Sequence, residues 1–186
     1  MFLLYSILIG LALGLAVGGR VSRLGDLRLA WVPLAVLGLA CQILLFAPPL
    51  TRVVGDIGPA AYVASTLLVL LVVVRNVPAV PALGLVVIGA ACNLAAIVAN
   101  RGFMPTTAAA RAVAGRTATV GYSNSLDVAN PALAPLVDRF ATPAWLPFAN
   151  VFSIGDVLIG LGVAAAIVVA MRTRPGQRHV PLGRAG

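Results

Sequence analysis

The chain has 186 residues, of which 61% are hydrophobic and only 10% are charged, and its formal net charge is +8. Soluble domains carry about 25% charged residues, so this composition excludes an ordinary soluble globular protein. The thirteen basic residues are all arginines and most of them lie at the ends of apolar stretches. This distribution is typical of membrane topology signals and argues against a nucleic-acid partner.

Five apolar stretches follow one another along the chain, and each is long enough to be read as a membrane span, for which about 20 residues suffice. The predicted fold is therefore all-α: an integral membrane bundle of five transmembrane helices in one domain, residues 1–171. No basic residue precedes the first stretch, so we expect it to be retained as a signal anchor. The predicted spans cover about 1–17, 29–47, 59–74, 80–99 and 151–171.

The arginines predict the orientation of the five spans. An orientation with the N-terminus outside and the C-terminus inside places eight arginines on the cytoplasmic side and leaves five outside, which fits the positive-inside rule. The eight are Arg20, Arg23, Arg28, Arg75, Arg172, Arg174, Arg178 and Arg184; the five are Arg52, Arg101, Arg111, Arg116 and Arg139. The tail, 172–186, is then a basic cytoplasmic arm that contacts anionic lipid headgroups.

The outer segment, 100–150, is too long for a structureless loop, so we expect it to be partly helical. Thr106 or Thr107 followed by an alanine-rich run to Arg116 predicts a short capped helix. Asn130 and Pro131 open a stretch to Phe140 that predicts a second helix, weakened by Pro135. Four residues near the end of the segment suit the membrane–water boundary: Pro143, Trp145, Pro147 and Phe148. Whether the segment is a lid or a docking surface stays open.

Polar side chains recur five or six positions inward from the outer end of each predicted span. At 1.5 Å per residue they would lie roughly 8 to 10 Å below the outer boundary. The inner halves of the spans carry no comparable group, which favours an outward-facing polar groove that is sealed towards the cytoplasm. Interhelical hydrogen bonding without a ligand is the alternative explanation. The residues concerned are Tyr5, Ser6, Gln42, Ser65, Thr66, Asn93, Ser153 and Asp156.

Asp156 is the one acidic residue inside a predicted span. A carboxylate at that depth needs a partner, and the candidates are Gln42, Asn93 and an arginine, Arg101 or Arg139. Helical spacing puts Ser153 and Asp156 on one face of the last span, and Asn93 and Asn100 on one face of the preceding span. We expect these faces to meet. The predicted binding residues are Asp156, Asn93, Asn100, Arg101, Ser153 and Gln42.

Small residues at four-residue spacing predict close helix packing in two spans: Gly10, Gly14 and Gly18 in the first, and Gly162, Ala166 and Ala170 in the last. We expect this packing to occur between helices of the same molecule, with dimerisation as the alternative. The two cysteines are interpreted as small buried residues. No metal-binding, phosphate-binding or cofactor motif is present in the sequence, so no metal or cofactor is predicted.

Two strings, Asn93 to Pro105 and Phe152-Ser153-Ile154-Gly155-Asp156-Val157, resemble a family of small bacterial multi-pass membrane proteins of unknown function. The likeness spans most of the chain. It implies the cytoplasmic, or inner, membrane of a bacterium and brings no activity with it.

A shorter likeness is to lipoprotein signal peptidase, an intramembrane aspartyl protease. The sequences Val151 to Asp156 and Gly89 to Ala96 resemble the two motifs that carry the catalytic aspartates of that family. Ala96 stands at one of those aspartate positions, and Ser153 replaces an asparagine. A single carboxylate cannot supply the acid and base pair of an aspartyl protease, so the likeness implies a non-catalytic relative.

The leading functional prediction is a membrane protein that binds a lipid, a lipopeptide or a partner helix in the outward-facing groove, with binding preferred to catalysis. One alternative is an aspartate-dependent intramembrane hydrolase that uses Asp156 with Asp127 or Asp138. Two others are an accessory subunit of a larger membrane complex and a proton-coupled transporter.

Overall fold

The computed structural model of the protein describes residues 2–47, 55–115, 125–126 and 130–173. The fold is mostly helical. Two 3₁₀ turns, Val21–Asp26 and Ala134–Leu136, and four two-residue strands complete the described elements. The α-helices are α1 Phe2–Ala16, α2 Val32–Leu45, α3 Ile57–Asn76, α4 Leu83–Ala99, α5 Ala108–Val113 and α6 Ile154–Arg172.

Each of the five predicted spans contains one long helix, but the ends differ from the predicted ones. Helix α2 starts three residues late, after Trp31 in the left-handed conformation (φ 60°) and with Pro33 in its first turn. Pro81 similarly precedes the delayed start of α4. Val151–Phe152, predicted as the start of the last span, is a strand, and α6 continues to Arg172, which was assigned to the tail. Residues 174–186 of that tail lie outside the described residues.

The five long helices pack side by side in the order α1, α6, α4, α3, α2. Helices α1 and α6 run parallel, because Gly10 lies against Ala164 and Gly14 against Met171. Neighbours in the rest of the row run antiparallel. Gly162 lies against Val86 between α6 and α4, and Gly38 lies against Val69 between α3 and α2.

This alternation gives the row two distinct ends. We call one of them the arginine end; it contains the C-termini of α1, α3 and α6 and the N-termini of α2 and α4. The opposite end is called the loop end. Among the described residues, the arginine end carries five arginines and one aspartate, whereas the loop end carries three of each. At the arginine end these are Arg20, Arg23, Arg28, Arg75, Arg172 and Asp26; at the loop end they are Arg101, Arg111, Arg139, Asp56, Asp138 and Asp156.

Helices α3 and α6 are the two described helices that are long and apolar enough to cross a membrane. Helices α1, α2 and α4 are also apolar but have 15, 14 and 17 residues. Large aliphatic side chains are exposed on all five, for example Ile43 and Leu71. Buried polar side chains, including Ser6 and Ser65, lie between the helices. The row of long helices thus has apolar side chains on its outer surface and some polar side chains buried in its interior.

The glycines predicted to form a packing stripe on α1 have two different structural roles. A Cβ on Gly10 would come within 2.9 Å of the Ala164 backbone, and one on Gly14 would collide with the Met171 side chain, so both permit close packing within the molecule. Gly18 has no atom within 4 Å of such a Cβ and has a φ of +78°. Its role is to end the helix in a left-handed conformation, which glycine adopts without strain.

The outer segment contains one of its two predicted helices. Thr107 caps α5 by accepting a hydrogen bond from the Ala110 N–H at 3.2 Å. The predicted second helix is wrong. Only Ala134–Leu136 forms a 3₁₀ turn, because Leu133 is left-handed (φ 53°) and Pro135 follows within the turn.

Short strands tie the outer segment together at the loop end. Strand β1, Met104–Pro105, pairs in parallel with β2, Ser125–Leu126. Thr106 forms a further parallel bridge with Asp138. Strand β3, Phe140–Ala141, pairs antiparallel with β4, Val151–Phe152, and β4 leads directly into α6.

Candidate functional site at the junction of α4 and α6

The start of α6 is a capping box formed by Ser153 and Asp156. The Ser153 Oγ accepts a hydrogen bond from the Asp156 N–H at 3.0 Å, and the Asp156 Oδ2 accepts one from the Ser153 N–H at 2.9 Å. The two side chains thereby satisfy two backbone donors that a helix N-terminus leaves unpaired. Part of the reason for an aspartate at this position is therefore the local structure of α6.

Asn93 of α4 completes the cluster from the neighbouring helix. Its Nδ2 donates to the Asp156 Oδ1 at 2.9 Å, and its Oδ1 accepts from the Ser153 Oγ at 2.8 Å. Ser153 is fully buried, whereas Asn93 and Asp156 are half-buried. The predicted meeting of these two helix faces is thus present in the structure, and both carboxylate oxygens of Asp156 accept hydrogen bonds.

Two glycines bring α4 and α6 close enough for these contacts. A Cβ on Gly155 would collide with the Asn93 Oδ1, and a Cβ on Gly89 would collide with the Gly155 carbonyl oxygen. Helix backbones approach this closely only where small residues face each other. Gly89 and Gly155 therefore position the Asn93 amide against the first turn of α6.

The outer segment covers the loop end of this junction. The 3₁₀ turn Ala134–Leu136 contacts both α4 and α6, and Leu136 packs against the buried cluster of Ala96, Ile97 and Met104. We call this the cover turn. Asn100, at the end of α4, binds the residues just before the cover turn. Its side chain donates a hydrogen bond to the Ala132 carbonyl and accepts one from the Ala132 N–H, both at 2.9 Å.

Asp156 has no cationic partner among the described residues. Its hydrogen-bond donors, the Asn93 amide and the Ser153 backbone N–H, are both neutral. Arg101 and Arg139, the predicted partners, are exposed. Of the predicted partner candidates, Asn93 is therefore confirmed, and neither arginine lies beside Asp156 within the described part of the chain. The cluster keeps a formal charge of −1 when Asp156 is ionised.

The other predicted site residues lie elsewhere. Gln42 donates to Thr66 between α2 and α3 at 3.3 Å and takes no part in the cluster. Arg101 has a φ of 60° and forms, with Gly102, the left-handed turn that ends α4. Asp138 is buried, and its backbone pairs with Pro105 and Thr107. Asp127 lies outside the described residues.

Sequence reasoning missed the polar contacts at the arginine end. Asn76 is buried and hydrogen-bonds both the N–H and the carbonyl of Ala30. Arg23 donates to the Met171 carbonyl at 3.1 Å and to the Arg172 carbonyl at 3.0 Å, which satisfies the end of α6. An asparagine near a helix C-terminus, two residues before Pro78, was the available signal for Asn76. The contacts of Arg23 had no sequence signal.

Comparison with known proteins supports one part of the longer resemblance, that to a family of unknown function. The model of a family of unknown function, DUF5317, matches residues 26–168. The chain belongs to this family. Every residue of the Asn93, Ser153 and Asp156 cluster falls within the DUF5317 match, as does the cover turn. No curated protein and no solved structure gives a significant match to the chain.

In this member of DUF5317, the residue at the second aspartate position of the signal peptidase likeness is fully enclosed. Ala96 has 0% of its surface exposed and packs in a cluster with Ile97 and Met104. The described cluster therefore holds one carboxylate, that of Asp156. It can accept hydrogen bonds and bind a cation, but it lacks the paired carboxylates that activate water in aspartyl proteases.

Proposed function

We propose that this protein spans the bacterial cytoplasmic membrane five times, with the loop end outside and the arginine end in the cytoplasm. Three observations support this topology. The five long helices alternate in direction along the chain, their outward-facing side chains are large and apolar, and arginines exceed aspartates at one end. The positive-inside rule assigns that end to the cytoplasm. The shorter helices require a thinner local bilayer or flanking residues at the boundary.

We further infer that the α4–α6 junction binds an amphiphile at the outer leaflet. The observation that carries this proposal is a half-buried carboxylate with neutral partners at the loop end of the α4–α6 junction, both helices of which the cover turn contacts. In a low-dielectric setting such a charge is unfavourable without a counter-ion, so it favours a cationic ligand group. Intramembrane ionisable residues are functional candidates for this reason.

The chemistry of the site selects the class of amphiphile. Asp156 offers a carboxylate to a primary amine, and the exposed apolar side chains of α4 and α6, such as Ile88 and Leu161, offer surface to acyl chains. An aminophospholipid or the amino group of a lipid-anchored peptide combines these two features. Binding without catalysis is favoured over the hydrolase, since Asp156 is the one carboxylate in the described cluster.

Native mass spectrometry of the protein extracted from its own membrane tests the proposal. Wild type is compared with Asp156→Asn and with Asp56→Asn, a matched control in which an exposed aspartate at the loop end loses its charge. An amine-bearing lipid or lipopeptide that is retained in wild type and Asp56→Asn but lost in Asp156→Asn supports the proposal. Equal retention in all three samples, or no bound species in any, overturns it. A co-purifying membrane protein that requires Asp156 assigns the site to subunit assembly instead.

A further inference from the structure

Residues 142–150, here called the Trp145 loop, form a closed hairpin loop at the loop end. Strands β3 and β4 pair on either side of it. The Thr142 N–H donates to the Asn150 carbonyl at 2.9 Å, and the Asn150 N–H donates to the Thr142 Oγ1 at 2.8 Å. These bonds close the base of the loop, so residues 143–149 project as one defined unit.

The projecting residues are apolar, and their largest rings point into solvent. Residues 143–149 contain no charged side chain. Trp145 is 79% exposed and Phe148 is 58% exposed. Phe148 has a φ of +58°, an unfavourable conformation for a residue with a Cβ. Two exposed aromatic side chains on a short uncharged loop are more than the scattered apolar exposure of an ordinary surface.

The Trp145 loop is fixed against the first turns of α1, which is at one edge of the helix row. The Tyr5 hydroxyl donates a hydrogen bond to the Pro147 carbonyl, and the Ala144 N–H donates to the Val113 carbonyl at 3.1 Å. Leu3 and Leu4, beside Tyr5 on α1, are themselves exposed. The apolar surface of the loop is therefore attached to the apolar outer surface of α1.

We propose that the Trp145 loop inserts into the interfacial layer of the outer leaflet, with Trp145 and Phe148 as its anchors. This inference rests on the five-span topology proposed above, but it does not depend on a ligand at Asp156. Lipid fits the loop as occupant because the loop continues the lipid-facing surface of an edge helix. Aromatic rings, and indole in particular, are favoured in the headgroup region of a bilayer.

Interfacial anchoring would also set the height of the cover turn. The cover turn lies between β1 and β3 in the outer segment, and β3 is the strand that leads into the Trp145 loop. A loop held in the headgroup layer keeps the outer segment flat on the membrane surface. The approach to the α4–α6 junction is then lateral, from the lipid, rather than from the aqueous phase.

The two tryptophans of the chain make the test direct, because Trp31 lies at the arginine end and Trp145 at the loop end. Trp31→Phe leaves Trp145 as the single indole, and Trp145→Phe leaves Trp31. Each variant is reconstituted into phosphatidylcholine vesicles that contain lipids brominated at shallow or deep acyl positions. Circular dichroism and thermal unfolding of each variant verify that the fold is retained.

We expect Trp145 fluorescence to be lost to brominated lipid, more strongly with shallow than with deep bromines, and to be blue-shifted relative to indole in water. Trp145 emission that is quenched by iodide but not by brominated lipid, with Trp31 quenched by lipid, overturns the loop proposal and leaves the five-span topology standing. Failure of brominated lipid to quench either indole overturns both. A Trp145 shielded from both quenchers assigns the loop to a protein contact and also overturns the proposal.

Discussion

Asn76 and Asn100 make the same clamp at opposite ends of the helix row. Each lies at the C-terminal end of its helix, donates its amide N–H groups to the carbonyl four residues earlier and to the carbonyl of a loop alanine, and accepts the N–H of that same alanine. The alanines are Ala30 for Asn76 and Ala132 for Asn100. One side chain thus satisfies a helix carbonyl and both backbone polar groups of one loop residue.

These clamps matter because the segments they hold lie next to apolar helices. An unpaired backbone donor or acceptor removed from water is unfavourable by about 1 to 3 kcal/mol. Asn76 holds the start of α2 against the end of α3, and Asn100 holds the outer segment against the end of α4. The two asparagines therefore attach long-range segments as well as ending their own helices.

Replacing Asn76 by alanine should lower the free energy of unfolding by about 1 to 3 kcal/mol, because three hydrogen bonds of a buried side chain are lost. Asn100→Ala should have a smaller effect, since the bonds of Asn100 to Ala132 are exposed. Denaturant unfolding in mild detergent measures both. Gln42→Leu, which removes a single half-buried hydrogen bond, is the control, and an Asn76→Ala effect no larger than that of the control would contradict the clamp.

Alanine at Gly155 or Gly89 should destabilise the protein by about 1 to 3 kcal/mol through overpacking. The added methyl groups collide with the Asn93 side chain and with the Gly155 backbone, respectively. Gly84→Ala is the matched control on α4, because a Cβ there meets no atom within 4 Å. It should be neutral or stabilising, since alanine favours a helix by up to about 1 kcal/mol over glycine. Thermal unfolding of the three variants gives the comparison; equal behaviour of Gly84→Ala and Gly89→Ala would show that the helices are not in close contact.

Ser153→Ala should remove about 1 to 2 kcal/mol of stability, because it deletes both the N-cap of α6 and the donor to Asn93. The effect should not add to that of Asn93→Ala. A double-mutant cycle between the two positions is expected to give a coupling energy within about 0.5 to 3 kcal/mol, as found for directly hydrogen-bonded residues. Additive effects would mean that Asn93 and Ser153 do not interact, and the site would then reduce to an isolated helix cap.

The helical organisation could be predicted from the sequence because apolar stretches and arginines are local signals. The meeting of Asn93 with Ser153 and Asp156 was also predictable, from helical spacing alone. The cover turn was not. Leu133 adopts a left-handed conformation, which its residue type does not predict. The contact of Ala134–Leu136 with both α4 and α6 depends on how the outer segment folds back onto the helices.

The hydrogen-bond partners of Asp156 could also be predicted only in part from the sequence. The predicted candidates were Gln42, Asn93 and an arginine, Arg101 or Arg139, but both arginine side chains are exposed. The carboxylate is instead satisfied by the backbone of its own helix start and by an amide across the junction. A capping box accounts for the position of an aspartate at the third residue of a helix, but its neutral donors leave the negative charge of the carboxylate without a counter-ion. The sequence prediction included the amide of Asn93 but not the capping box with Ser153.

Ala96→Asp tests whether the signal peptidase likeness extends to chemistry. The substitution restores an aspartate at the position that the likeness assigns to the second catalytic carboxylate, but Ala96 is fully buried among Ile97, Met104 and Leu136. Burying an unpaired carboxylate there should cost several kcal/mol, so we expect the variant to lose stability and to gain no proteolytic activity. Ala96→Ser, a smaller polar change, separates the effect of charge from that of polarity. Expression level, thermal unfolding and cleavage of a lipid-modified peptide are measured for both. A stable Ala96→Asp protein that cleaves the peptide, and loses that cleavage when Asp156→Asn is added, would establish a protease ancestry and count against a site built only for binding.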